Sequence, residues 1–249
     1  MKLGKTPAKP RPKDIGLLTV TGPDGLKEAP IGFGHTVAYP ADWGMLGNDR
    51  YGDCVWAGGD HETMLWNAIN GRQVAFTADD ALADYAAVTG FNPSTGTGDN
   101  GTDVHDALNY RRKTGLVDTA HARHKIGAYV SLEPGDWQQL LEAVYAFDLV
   151  AIGFEFPSYA MGEFNAEKPW TYRTGATIEG GHYVPIVGRP HVSTVACVTW
   201  GRVQPMTRAF YHAYCDEAYG IVSTEALSAG GKTPEGLDLS ALQAELAKL

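Results

Sequence analysis

A cysteine stands where a glycine-rich loop meets the first strongly helical pattern of the chain. Residues 47–59 read GNDRYGDCVWAGG, and apolar side chains follow Cys54 at helical spacing as far as Ile69. The N-terminus of a helix stabilises a thiolate, because the helix dipole places partial positive charge there. Asn48 lies six residues earlier and carries an amide that can donate to an oxyanion beside the Cys54 backbone N–H. Cys54 is therefore a candidate nucleophile, with Asn48 as a candidate oxyanion donor.

A histidine on a predicted strand supplies the base that such a nucleophile needs. His182 follows two glycines in the segment GGHYVPIVG, residues 180–188, so its flank is open. A second β-rich run, 194–200, follows Gly188-Arg189-Pro190, which predicts a hairpin. The return strand ends in Trp200-Gly201, close to His182 across that hairpin. A strand-borne imidazole facing a helix-borne thiol is the arrangement of an activated cysteine.

Together these residues resemble the papain-like cysteine peptidases. In that family an amide side chain precedes the nucleophile by six residues, the nucleophile begins a helix, and a distant histidine precedes a Trp-Gly pair. Cys54, His182, Asn48 and Trp200-Gly201 occupy those places over roughly residues 40–223. The segment MTRAFYHAYCDEAYGIVS, residues 206–223, also resembles papain-like proteins encoded by phages of actinobacteria. The resemblance implies acyl transfer on an amide or isopeptide bond of a peptide, without a metal or organic cofactor.

The chain departs from that pattern at three positions. Val55 follows the nucleophile where the family usually has Trp, and Asn48 is one methylene shorter than the family's glutamine. The residue two before Trp200 is Val198, which cannot orient an imidazole. Thr199 is the nearest polar candidate, but strand alternation puts it on the opposite face from Val198. A shifted hairpin would bring Thr199 to His182; otherwise a backbone carbonyl would hold the ring.

The fold class that we expect is α+β, with a helical lobe packed against an antiparallel, barrel-like β lobe. Helices are predicted from Cys54, capped by Asp53, from Thr77 and near Asp103, and then after Asp136 and over 206–214. Strands are predicted over 126–131, 149–156, 182–187, 194–200 and 218–222. We expect a basic Pro-rich arm at 1–20 and a papain-like domain at 21–223, with lobes at about 45–120 and 121–223. A C-terminal helical extension at 224–249 carries Leu239, Leu242, Leu246 and Leu249.

Other polar clusters in the sequence do not predict a metal or catalytic site. His121 and His124 have no carboxylate or cysteine at ligand spacing, and His212 with Cys215 lacks further ligands for zinc. Asp216-Glu217 is an adjacent carboxylate pair whose members point to opposite faces of a strand, which predicts a salt-bridged edge. We therefore expect no metal and no cofactor.

Charge is distributed unevenly along the chain. The total of 20 basic and 29 acidic residues gives −9, while residues 1–13 are purely basic, with Lys2, Lys5, Lys9, Arg11 and Lys13. The body, at −14, is unsuited to general nucleic-acid binding. The arm, with three prolines, is expected to bury little, as a solvated tail or as a docking segment for an acidic partner. The alternative function is thus a weakly active or inactive papain-fold adaptor of a phage particle, docking through residues 1–20.

Cysteine usage and hydropathy indicate the compartment. The odd set of three cysteines does not suggest a disulfide framework. No apolar run approaches the roughly 20 residues that cross a bilayer, and no signal peptide is evident. We expect a reducing, cytoplasmic setting or a phage virion, and no membrane partner.

Overall fold

The computed structural model describes residues 1–11, 14–17, 26–226, 231–232 and 238. The predicted C-terminal leucine helix and Lys13 lie outside the described residues. Within those ranges, no helix is both long and apolar enough to span a membrane.

Three helices occupy the first half of the chain: α1 (Cys54–Ile69), α2 (Ala78–Thr89) and α3 (Val104–Lys113). Thr77 caps α2 in a reciprocal capping box with Asp80, and Gly90 ends it in a left-handed conformation, both as predicted. The predicted cap of α1 is wrong in its mechanism. Asp53 occupies the N-cap position, but its side chain makes no capping hydrogen bond. Its carboxylate is instead buried away from the helix amides.

The second half is built on one large antiparallel sheet with three further helices. The helices are α4 (Trp137–Phe147), α5 (Ala160–Asn165) and α6 (Arg208–Tyr214). The strands of the sheet are β1 (Phe33–Gly34), β4 (Ile126–Leu132), β5 (Val150–Pro157), β6 (Ile178–His191), β7 (Thr194–Thr199), β8 (Arg202–Thr207) and β9 (Cys215–Ser223). Their order is β4-β9-β5-β6-β7-β8, with β1 on β6. A separate two-stranded pair joins β2 (Leu116–Val117) to β3 (Arg123–His124).

The α+β class is confirmed, and the β-rich half is an open sheet rather than a closed barrel. Among the described residues its outer strands, β4 and β8, do not pair with each other. Side chains on its two faces join two hydrophobic clusters. One contains Val150, Ile152 and residues of α4 and α6; the other contains Ala151 and residues of α1, α2 and α3. A strand buried on both faces is a continuous apolar run, which explains the pattern of residues 149–156.

Several elements differ from the sequence expectation. The sequence pattern gave no sign of β8, the edge pair β2–β3 or the short helix α5. Trp200 and Gly201 have φ of 45° and 76°, so they form a two-residue hairpin turn between Thr199 and Arg202. Tryptophan is unusual in such a turn, so the sequence does not indicate it. Met206 and Thr207 consequently belong to β8, and α6 begins at Arg208.

The N-terminal arm is the largest departure from expectation. Gly4 and Lys5 are buried, and Lys5 forms bridges with Gly181 on one side and Thr102 on the other. The expectation that the arm buries little is therefore wrong. The arm docks on the chain itself, between the loop before α3 and the start of β6.

Candidate active site

Cys54 is the first residue of α1 and is buried, with 1% of its surface exposed. Burial raises the pKa of the thiol to about 12, although the nearby backbone of Tyr183 and Gly4 acts to lower it. Because the first N–H groups of a helix have no partner within it, the Cys54 amide is free of the helical ladder. The thiol thus lies against the backbone of the residue that follows His182.

His182 lies on β6 in an aromatic enclosure. Trp200 stacks on its ring with centroids 4.3 Å apart, and Phe154 and Phe156 meet it edge-on. Its Nε2 is 2.7 Å from the hydroxyl oxygen of Thr199, while its Nδ1 is buried without a hydrogen-bond partner. Burial lowers the pKa of the imidazole to about 3. His182 therefore lies with the cluster that contains Val150 and Ile152, whereas Cys54 belongs to the cluster on the opposite face of the sheet, so the arm-docked chain does not bring the two side chains together.

Asn48 lies in the loop before α1 and is buried. Its Nδ2 donates to the Lys2 carbonyl and to the Tyr51 carbonyl, each at 3.1 Å. The amide therefore already binds a peptide carbonyl that enters from the arm. The shorter side chain of asparagine, compared with glutamine, is compatible with this contact because the loop brings it close.

A buried polar network fixes α1 against β6. The Tyr183 hydroxyl donates to Glu62 at 2.6 Å, and Arg111 of α3 pairs with the other Glu62 oxygen at 2.7 Å. Gly58 allows the contact, since a Cβ there would lie 2.5 Å from the Tyr183 ring. Breaking a buried ion pair of this kind costs about 3–5 kcal/mol. The network therefore holds Tyr183, the residue next to His182, on the side of β6 that faces α1.

The N-terminal arm packs against the loop before α1, the loop before α3 and the start of β6. Lys2 N–H donates to the Asn48 carbonyl at 3.0 Å, Lys5 N–H to Gly181 at 3.1 Å, and Thr102 N–H to Gly4 at 2.7 Å. A Cβ on Gly4 would lie 1.9 Å from the Gly52 carbonyl oxygen, so only glycine fits there. The arm thus covers the thiol and contributes to the burial that raises the pKa of Cys54, whereas the aromatic side chains around His182 account for the burial that lowers the pKa of the imidazole. In this arm-docked state both groups are neutral.

The sequence expectation missed what surrounds the candidate residues. Trp56, one place later than the family's tryptophan, donates to the Thr102 hydroxyl at 2.9 Å and so supports the loop that holds the arm. Asp216 and Glu217 both bind Lys5 of the arm. In the sequence, the site of the arm is indicated only by Gly180 and Gly181, which have no side chains to fill the space before His182. All three cysteines are unpaired, and the described residues contain no His/Cys/Asp/Glu group arranged to hold a metal ion.

A helix that begins at a cysteine and packs on a sheet that carries a histidine defines the papain-like cysteine protease fold, which this chain adopts. Solved structures with this fold include xylellain, a cysteine protease from Xylella fastidiosa, with 14% identity, 89% of this chain and 96% of that chain covered, and a TM-score of 0.63. A procathepsin B from Trypanosoma congolense has 13% identity, with 88% of this chain and 86% of that chain covered and a TM-score of 0.58. The ragweed protease Amb a 11, in its proform, has 15% identity, with 86% of this chain and 72% of that chain covered and a TM-score of 0.59. No protein-family model and no curated protein matches the sequence.

Proposed function

We propose that this chain is a thiol-dependent peptidase or amidase in which Cys54 is the nucleophile and His182 the general base. The observation that carries the proposal is Cys54 as the first residue of a helix in a papain-like cysteine protease fold, against the backbone of Tyr183 and Gly4. His182 itself is buried among Phe154, Phe156 and Trp200 on the face of the sheet opposite Cys54, with its Nδ1 unpartnered, so the proposal includes a rearrangement that brings the ring to the thiol when the arm leaves. The Thr199 hydroxyl can either accept from or donate to Nε2, so it holds the ring in either tautomer.

The chemistry then follows the general scheme of acyl transfer. Once the arm has left and the ring of His182 has reached the thiol, His182 takes the Cys54 proton, and the sulfur forms a bond to the substrate carbonyl carbon while the carbonyl electron pair moves onto oxygen. The Cys54 N–H and Asn48 Nδ2 donate to that oxyanion. The C–N bond breaks as the amine receives the proton from His182. Water, deprotonated by the same histidine, hydrolyses the thioester and returns Cys54 as a thiol.

The arm must leave before a substrate reaches Cys54. Gly4 and Lys5 occupy the space where a peptide would lie, and Asn48 is engaged by Lys2. The occurrence of proforms among the structural neighbours supports an arm that holds the enzyme closed. Arm release is therefore part of the proposal.

The alternative of an adaptor in a phage particle is motivated by the missing orienting residue, the basic arm and the C-terminal helix, and it predicts that residues 1–20 contact another chain. Lys9 and Arg11 instead pair with Asp103 of the same chain, at 2.8 and 2.7 Å. This contact favours the enzyme. A phage origin and a reducing or virion location stay proposals, supported by the likeness of residues 206–223 to phage-encoded proteins and by the free thiols.

The test compares the full chain with its Gly4→Val variant, whose side chain collides with Gly52 and displaces the arm. We expect iodoacetamide to label Cys54 slowly in the parent and rapidly in the variant, with a labelling midpoint well below that of a free thiol, about 8.5. Peptide hydrolysis should appear with it and fall at least about 10³-fold on adding Cys54→Ala. Gly162→Ala is the matched control, because a Cβ there meets no atom within 4 Å. Hydrolysis that survives Cys54→Ala, or an ordinary thiol midpoint in the variant, would refute the proposal.

A further inference from the structure

The Lys5 side chain of the arm lies in a closed pocket beside the candidate active site. None of its side-chain surface is exposed, and its ammonium lies 2.8 Å from Asp216 Oδ2 and 3.1 Å from Glu217 Oε1. It also donates to the Thr6 carbonyl at 2.9 Å. All three donors of the ammonium therefore have oxygen partners within reach. Burial alone lowers the pKa of Lys5, but the two carboxylates outweigh burial and raise it, so the residue stays charged.

Two features of the neighbouring strands shape the pocket. A Cβ on Gly153 would lie 2.1 Å from Lys5 Cε, so glycine at this place in β5 makes room for the aliphatic stem. On β9, Glu217 pairs with Gly153 and Cys215 with Phe154, which leaves Asp216 unpaired as the extra residue of a β-bulge. Two adjacent strand residues normally face opposite sides. The bulge lets both carboxylates reach one amine.

The backbone of the arm is held in a way that does not depend on its sequence. Lys5 N–H bonds to the Gly181 carbonyl, while Gly4 and Thr6 bond to the main chain of Thr102. A Cβ on Gly181 would lie 2.3 Å from the Lys5 carbonyl oxygen, so this close approach needs glycine. Main-chain pairing of an extended segment gives affinity, and the pocket for its side chain gives specificity.

We propose that the pocket formed by Gly153, Asp216 and Glu217 is a substrate subsite selective for a lysine side chain, with Lys5 as its resident occupant while the arm is docked. The inference rests on the proposed function. When the arm leaves, two carboxylates in a part-buried pocket lose their cation, and a peptide that brings a lysine beside Gly181 restores the pairing. An apolar side chain of the same length leaves the carboxylates unpaired, which is the unfavourable case for buried charge. The substrate class is therefore a lysine-containing peptide.

The first experiment measures specificity in the Gly4→Val chain. Peptide pairs that differ by lysine or norleucine are compared at each position around the cleaved bond, because norleucine keeps the stem and removes the charge. We expect lysine to be preferred by about 10-fold or more in kcat/KM at one position only. Glu217→Gln should bring that ratio toward one, and Glu217→Lys should favour a glutamate peptide instead. Equal rates for lysine and norleucine at every position would overturn the subsite while leaving Cys54-dependent hydrolysis intact.

The second experiment does not require activity. A labelled peptide with the sequence of residues 1–10 is titrated into the Gly4→Val chain, and anisotropy reports binding. Norleucine at its fifth position should weaken binding about 10-fold, and norleucine at its ninth should not weaken it comparably, since Lys9 is largely exposed. Equal affinity of the parent and fifth-position peptides refutes the pocket. If that difference is found without any Cys54-dependent hydrolysis, the pocket stands and the peptidase proposal fails.

Discussion

At the residue scale, the partner of His182 is decided by the register of two strands. Ile186 pairs with Cys197, so the alternate residues Val184 and His182 on β6 share a face with Thr199 on β7. Val198 points into the other hydrophobic cluster. Sequence alternation correctly separated Val198 from Thr199, but it did not reveal which of them faces the histidine. That information lies in the pairing of strands, which sequence periodicity does not specify.

Thr199→Val tests whether this contact positions the imidazole. Valine has nearly the shape of threonine without the hydroxyl, so His182 Nε2 loses its partner in an enclosed site. In the Gly4→Val background we expect kcat/KM to fall about 10- to 100-fold, and the free energy of unfolding to fall by about 1 kcal/mol. The midpoint of Cys54 alkylation should also rise, which a purely structural role would not produce.

Thr199→Ser is the matched control for that substitution, because it keeps the hydroxyl. We expect it to restore most of the rate and the low alkylation midpoint. A valine variant with unchanged rate and midpoint would show that the ring is held by its aromatic neighbours alone.

At the scale of elements, the long amphipathic or doubly buried segments could be predicted and the irregular ones could not. The helices after Thr77, Asp103 and Asp136 carry caps and apolar stripes that stand out in the sequence. The bulge at Asp216 and the Trp200-Gly201 turn have no such mark. Both irregularities matter for the site. The bulge lets two carboxylates bind one amine, and the turn fixes the position of Thr199.

The docked arm behaves as a short added strand, and its hydrogen bonds can be followed individually. Thr102 N–H is protected only by the Gly4 carbonyl. In Gly4→Val we expect the Thr102 amide to exchange with deuterium at least about 10-fold faster, because its acceptor leaves with the arm. Amides in the middle of α4, on the other side of the sheet, should keep their parent rates.

Gly162→Ala again serves as the control for adding a Cβ without a clash. Fast exchange throughout the variant would indicate general unfolding rather than arm release. Unchanged exchange at Thr102 would show that the arm tolerates a side chain at position 4, contrary to the close approach to Gly52.

At the scale of the whole molecule, the basic arm pairs with acidic residues of the same chain. Asp99 forms an ion pair with Lys2, Asp103 with Lys9 and Arg11, and the carboxylates of β9 with Lys5. The sequence predicted a basic arm that seeks an acidic surface and left open where that surface is. Residues 5 and 216 are far apart in sequence, and no local pattern connects them. The acidic surface belongs to the protein's own cleft.

Burial of the neutral imidazole makes the stability of the arm-docked chain depend on pH. The pKa of His182 falls to about 3 through burial, against about 6.5 in the unfolded chain. Between these values the unfolded state binds a proton that the folded state does not, so this stability is present above about pH 6.5 and is lost as pH falls. His61, with its pKa lowered to about 4 by burial, acts in the same direction, whereas Asp53 and Asp60, whose pKa values burial raises, act in the opposite one.

A difference between two proteins isolates the contribution of His182 from those opposing groups. Urea unfolding of the parent and of His182→Gln is measured from about pH 7 to pH 4. The free energy of unfolding should fall more steeply with decreasing pH in the parent, by at most about 1.4 kcal/mol per pH unit, the value for one proton. His191→Gln, at an exposed histidine, should leave the slope unchanged. Parallel curves for the parent and His182→Gln would mean that water and protons reach the imidazole in the folded chain despite its aromatic neighbours.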